Sequence, residues 1–156
     1  MSAYVCVYLR QNCCFFQKKL AISRRLTQMD ADKNINDLTY RINGAIFEVS
    51  HTLDAGFLEK VYERAVLLEL RERGLKAESQ APIQISYKGQ VVGEYFADIL
   101  VCGKIIIELK CVETLSKLYE AQIINYLKAT GLQVGLLVNF KYPKVEIKRI
   151  VLGLKE

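Results

Sequence analysis

Tryptophan is absent from the 156 residues, histidine occurs only at His51, and proline only at Pro82 and Pro143. With one imidazole and no CxxC pair, a zinc site has no ligand set. His51 is the only imidazole base available, and it falls at the tail of the first expected helix, where a cation is favourable on dipole grounds. No GxGxxG, GxxxxGK[ST] or GxSxG occurs, so nucleotide-binding loops and the serine-hydrolase elbow lack support. No uncharged run reaches 18 residues, which excludes a spanning helix. The chain is 51% hydrophobic and 25% charged with only 9 Gly, so a disordered, collagenous or low-complexity protein is excluded too. At 17.8 kDa it has the size of one domain with a sizeable core.

The net charge of +5 suggests nucleic-acid binding until its distribution is examined. Arg10, Lys18, Lys19, Arg24 and Arg25 all lie in residues 1–28, which contain no acid. The other residues balance at 17 basic against 17 acidic side chains, so any basic patch there is local. The cysteines divide similarly, with Cys6, Cys13 and Cys14 in residues 1–28 and Cys102 and Cys111 beyond. An odd count without paired spacing argues against a disulfide framework and for a reducing, cytoplasmic setting. Residues 1–28 lack the unbroken apolar stretch of a secretory signal. We expect an N-terminal extension over 1–28, with a targeting segment as the alternative, and a domain over 29–156 that begins near Met29.

Leu38, Ile42, Ala45, Ile46 and Val49 recur at three and four, which predicts a helix over about Asn36–His51. A second helix is expected over about Phe57–Arg73, with an apolar face of Leu58, Val61, Ala65 and Leu68 flanked by Val66 and Leu70. Gly74 is placed to end it. The period then becomes two. Pro82–Tyr87 and Gln90–Phe96 around Lys88–Gly89 read as a hairpin, and Lys104–Leu109 as a strand buried on both faces. A helix over about Ser116–Thr130, closed by Gly131, and strands at Gln133–Asn139 and Val145–Leu152 complete the order ααβββαββ. The fold class is α/β (α+β): a mixed central β-sheet with flanking helices.

Three charges sit at the ends of adjacent strands: Asp98, Glu108 and Lys110. A buried ion costs several kcal/mol to desolvate unless paired or bound to a metal, so charges there call for a reason. Glu108 and Lys110 are two apart and leave one face of their strand. With Val101–Cys102–Gly103 as a three-residue loop, Asp98 lies opposite Ile106 and diagonal to Glu108. The two carboxylates are then about 7–8 Å apart at the backbone and can converge on one cation. A two-residue turn would place them on opposite faces. Two oxygen ligands with room for water suit magnesium or manganese, and Lys110 is placed to handle the attacking water or developing charge. The alternative is a Glu108–Lys110 or Asp98–Lys110 ion pair at a sheet edge. In GFLEKVY, Glu59 and Tyr62 share a helical face and could add a third carboxylate and a substrate contact. The alternative for Glu59 is a solvated first-turn acid. Gln122 and Tyr126 also face one way, toward a substrate or as a helix rim packed on the sheet.

Taken together, these elements resemble the GxxExxY family, whose motif reads Gly56–Phe–Leu–Glu59–Lys–Val–Tyr62. That family is similar to the PD-(D/E)XK nuclease superfamily, with Asp98 and Glu108–Leu109–Lys110 as the matching motifs. Gln122–Ile–Ile–Asn–Tyr126 resembles the QxxxY helix motif of some of its nucleases. Ala97 stands where the motif's proline would be. The resemblance covers about Leu38–Leu152 and implies a restriction-endonuclease-like αβββαβ core. It also implies Mg2+ (or Mn2+) bound by Asp98 and Glu108 with help from Glu59, Lys110 handling water, and Gln122 and Tyr126 on the substrate side, where the helix face of Glu59 adds Tyr62. The expected function is metal-dependent hydrolysis of DNA or RNA. The alternative is a non-catalytic module that keeps the fold to bind nucleic acid or protein. Lys117, Lys128, Lys141, Lys144, Lys148 and Arg149 are candidates for a basic groove. No membrane partner is expected, and a homodimer is compatible with the small size and apolar strands.

Overall fold

The computed structural model describes residues 34–153. The expected extension over 1–28 and the start near Met29 lie outside those residues. The chain divides into two compact units, Met1–Leu38 and Thr39–Glu156. The described part of the first unit, residues 34–38, is the start of the first helix; everything else below concerns the second.

Helix α1 (residues 34–53) buries Ile42, Ala45, Ile46 and Val49, the periodic positions. Helix α2 (Glu59–Glu72) follows a short break and ends as the chain turns through Gly74 at φ 72°. Then come β1 (Ala77–Tyr87), β2 (Gln90–Val101), β3 (Ile105–Lys110), α3 (Lys117–Thr130), β4 (Val134–Asn139) and β5 (Glu146–Val151). The five strands form one sheet in sequential order, with β3 and β4 parallel and all other neighbours antiparallel. This is the expected α+β fold and element order. Because β3 and β4 run parallel, a crossover must join them, and α3 supplies it. Among the described residues no helix is long and apolar enough to cross a membrane.

The central strands β3 and β4 are buried almost end to end, as KIIIEL suggests. On the side covered by α3, Ile106, Leu137 and Ile150 of the sheet pack with Ile123, Tyr126 and Leu127 of the helix. Gly135 lets the helix approach, since a Cβ there would collide with the Ile123 Cγ2 methyl. The β1–β2 turn carries positive φ at both Lys88 and Gly89, the primed geometry that suits a two-residue hairpin.

Two expectations need correction. Helix α2 does not bury Leu58, Val61, Ala65 and Leu68; Leu58 is 79% exposed and Leu68 60%. Its inward stripe is Tyr62, Glu63, Val66 and Leu70. Hydrophobicity alone misplaced the face because the sheet offers polar partners to a buried glutamate. Ser79 Oγ and Gln80 Nε2 both donate to Glu63, at 2.6 and 3.2 Å. The second correction concerns the β2–β3 loop. It has three residues but is Cys102–Gly103–Lys104, with Val101 paired to Ile105 and both Cys102 and Gly103 at positive φ. Parity is preserved, and the register moves by one pair, so that position 98, just beyond the last pair Ile99↔Ile107, is level with Glu108 rather than diagonal to it.

Candidate active site

The β2–β3 ladder runs only from Val101↔Ile105 to Ile99↔Ile107. At the next step the Asp98 side chain takes over, and its Oδ2 accepts the Leu109 N–H at 2.8 Å. A backbone donor left over where two strands part is thus satisfied by a carboxylate. The pleat changes at the same level. Ala97 and Leu100 both contribute to the α3-side core although three residues apart, which regular alternation forbids. In β1, Gln80, at the level of Asp98, has φ 52°, a left-handed conformation that costs energy for a residue with a Cβ. Both strands are thus irregular at the level of Asp98.

Glu108 is 3% exposed. Its Oε1 accepts from Lys110 Nζ at 2.8 Å and from Gln122 Nε2 at 2.9 Å, while its Oε2 is buried with no hydrogen-bond partner. Gln122 Nε2 also lies 2.6 Å from the Tyr126 hydroxyl. Lys110 Nζ stands 5.5 Å from the centre of the Tyr119 ring. The structure therefore brings Asp98, Glu108, Lys110, Gln122 and Tyr126 together from two strands and one helix.

Glu59, in the first turn of α2, is half-buried and lies in the field of Lys110, Asp98 and Glu63. Among the described residues, however, no three His, Cys, Asp or Glu side chains group closely enough to hold an ion. Glu59 borders the Asp98–Glu108 pair without completing a three-ligand cage. Tyr62, expected on the substrate side, is not on the surface. It is 0% exposed, stacks on Phe140 with ring centres 4.5 Å apart, donates its hydroxyl proton to Asp54 O at 2.7 Å and accepts from Phe57 N at 3.3 Å. Those bonds tie Tyr62 to the loop before α2, the helix whose first turn carries Glu59.

The electrostatics follow from burial. Desolvation, reinforced by Asp98 and only partly offset by Lys110, pushes the Glu108 carboxyl up to about 7. Burial also raises Asp98, against the Leu109 N–H and Lys110, and raises Glu59. Burial would lower Lys110, but its bond to Glu108 and the surrounding carboxylates outweigh that and leave it above its ordinary value. Burial likewise raises the Tyr126 phenol.

Three residues of the site surroundings escape sequence reading. Glu63, one helical turn after Glu59, locks α2 to β1 and pairs with Lys60 at 2.7 Å. Gln80 contacts both Glu63 and Asp98. Asn139, 1% exposed, grips the chain just beyond Lys110: its Oδ1 accepts from Val112 N at 3.1 Å and its Nδ2 donates to Val112 O at 2.8 Å. The only signal for Glu63 is its four-residue spacing from Glu59. Of the candidate groove lysines, Lys128 lines a cleft beside α3, whereas Lys148 is paired with Glu120 at 2.7 Å.

Residues 36–150 match the PD-(D/E)XK nuclease superfamily, and the chain belongs to it. No curated protein matches the chain. Among solved structures, the crystal structure of SSO0001 is similar at 20% identity with a TM-score of 0.46, covering 62% of this chain and 50% of that one. The chain thus spans about half the length of that relative.

Proposed function

We propose that this member of the PD-(D/E)XK nuclease superfamily is a divalent-metal-dependent phosphodiesterase acting on DNA or RNA. The observation that carries the reading is the orphaned Glu108 Oε2. A buried carboxylate oxygen without a partner is costly, and native structures that keep one do so for an ion, a water or catalysis. Asp98 and Glu108 fit a hard cation such as Mg2+ or Mn2+, with water completing the shell and Glu59 beside it. When bound, such an ion acidifies a coordinated water and polarises a phosphoryl oxygen.

The other roles belong to the chain. Asp98 is held by Leu109 N and Glu108 by Gln122, so both carboxylates are oriented before any ligand arrives. Lys110, kept protonated by its acidic neighbours and 2.8 Å from Glu108, would hold the attacking water or neutralise negative charge developing on the phosphate. Tyr126 fixes Gln122. The free thiols Cys102 and Cys111 support a reducing, cytoplasmic setting. The Glu108–Lys110 pair at 2.8 Å is also what a plain ion pair at the sheet edge requires, so the reading rests on the orphaned Oε2 and not on that pair.

The test is cleavage of labelled single- and double-stranded DNA and RNA with magnesium or manganese, by the protein and by Lys110→Ala and Asp98→Asn. We expect cutting that EDTA and both variants abolish. No cleavage of any substrate, together with no heat of metal binding, would overturn the proposal.

A further inference from the structure

A cleft of about 620 Å³ lies between α3 and the outer part of the β1–β2 hairpin. That is within the roughly 300–1,000 Å³ of small-ligand sites. Its walls include Tyr95, Leu118, Gln122, Asn125, Tyr126 and Lys128. Gln122 belongs to both places, lining the cleft and donating to Glu108 Oε1. Whatever fills the cleft is therefore one side chain away from the carboxylates.

The wall chemistry narrows the occupant. Tyr95 is 53% exposed, and its ring lies 5.9 Å from that of Tyr126 at 50°, so the pair does not stack on itself and leaves aromatic surface available. Leu118, 79% exposed, adds apolar surface. Asn125 presents an exposed amide with both donor and acceptor, and Lys128 stands six residues along α3 from Gln122 as an exposed cation. A flat apolar ring with polar edges, attached to an anionic backbone, matches this set. Interior base pairs of a duplex hide both faces in the stack and offer none to Tyr95.

We propose that this cleft takes an unpaired nucleobase adjoining the phosphate presented to Asp98 and Glu108, so that single-stranded nucleic acid is the preferred substrate class. The inference rests on the phosphodiesterase reading of the carboxylate site and deepens it. Tyr95 supplies the stacking platform, Leu118 packs against the sugar or a neighbouring base, and Lys128 meets a backbone phosphate displaced from the reacting one.

Binding can be read apart from cleavage in the Asp98→Asn protein with magnesium, by anisotropy of short labelled single-stranded DNA, single-stranded RNA and blunt duplex. At least one single strand is expected to bind roughly tenfold more tightly than duplex. In the same background Tyr95→Ala should lose roughly tenfold while Tyr95→Phe retains affinity, because the ring and not the hydroxyl does the stacking. Lys128→Ala, on an exposed helix surface, should weaken binding of single strands and lower the salt slope by about one. Duplex bound as well as single strands, no binding of any probe, or unchanged affinity in both Tyr95→Ala and Lys128→Ala would overturn the proposal. If single-strand selectivity survives while the wild-type protein cuts nothing, the cleft inference is supported and the catalytic reading fails, so the two are separable.

Discussion

Asp98 Oδ2 accepts the Leu109 N–H at 2.8 Å, and that single bond does two jobs. It stands in for the next backbone hydrogen bond of the ladder where β2 leaves β3, and it aims the carboxylate toward Glu108. Substitutions can separate the two. Asparagine keeps an acceptor oxygen for Leu109, so Asp98→Asn should fold with a melting temperature close to wild type while cleavage falls at least about a hundredfold. Alanine strands the N–H of buried Leu109, so Asp98→Ala should also lose roughly 1–3 kcal/mol of stability. Equal destabilisation by both, measured by denaturant unfolding, would refute the division.

Tyr62 provides the contrasting case of a motif residue with an internal role. Its hydroxyl is satisfied by Asp54 O and Phe57 N, so Tyr62→Phe should cost about 1 kcal/mol through the loop before α2. Cleavage by folded Tyr62→Phe should stay within about threefold of wild type, because no bond to a ligand is removed. A large loss of activity at unchanged stability would place the phenol on the substrate after all.

Much of this architecture is legible from period and punctuation. Gly131, at φ 73° behind α3, and Lys88–Gly89 mark their boundaries by chemistry that few residues can replace. Parity alone put Asp98 and Glu108 on one face, because a three-residue loop keeps it wherever the loop begins. The exact loop was not readable: Cys102 takes the left-handed conformation beside Gly103, and side-chain pattern gives no hint that a cysteine would. Nor was the buried face of α2. A helix with leucines on more than one side has competing orientations, and the polar partners Ser79 and Gln80, distant in sequence, decide between them. Asn139 was hidden for the same reason, since its partner Val112 lies 27 residues away.

Gly135 tests how tightly α3 must be seated. An added methyl would press on Ile123, the residue after Gln122, and Ile123 is fully buried. Gly135→Ala should therefore destabilise by about 1–3 kcal/mol through overpacking. If the helix lifts in response, Gln122 loses its grip on Glu108 and cleavage drops in the remaining folded protein. Restored stability and activity in Gly135→Ala/Ile123→Leu, which removes the β-branch methyl that the new Cβ meets, would confirm steric cause.

Glu108 sets the pH behaviour. Its carboxyl titrates near 7 in the metal-free fold against an ordinary 4.5, so between those values the native state binds a proton that the unfolded chain has released. The stabilisation is complete below about pH 4.5 and disappears as pH rises through 7; the raised Asp98 and Glu59 act in the same direction. The metal-free protein should thus melt at a lower temperature at pH 8 than at pH 6, with Glu108→Gln flattening that slope and raising the pH 8 value. A cation must displace the proton, so its apparent affinity should climb up to about tenfold per pH unit below 7, with proton release in calorimetry. Added magnesium should then stabilise wild type most at pH 8 and leave Glu108→Gln almost unmoved. A wild-type melting temperature that rises from pH 6 to 8 without metal would mean that Lys110 outweighs burial and that Glu108 is an ordinary ion pair.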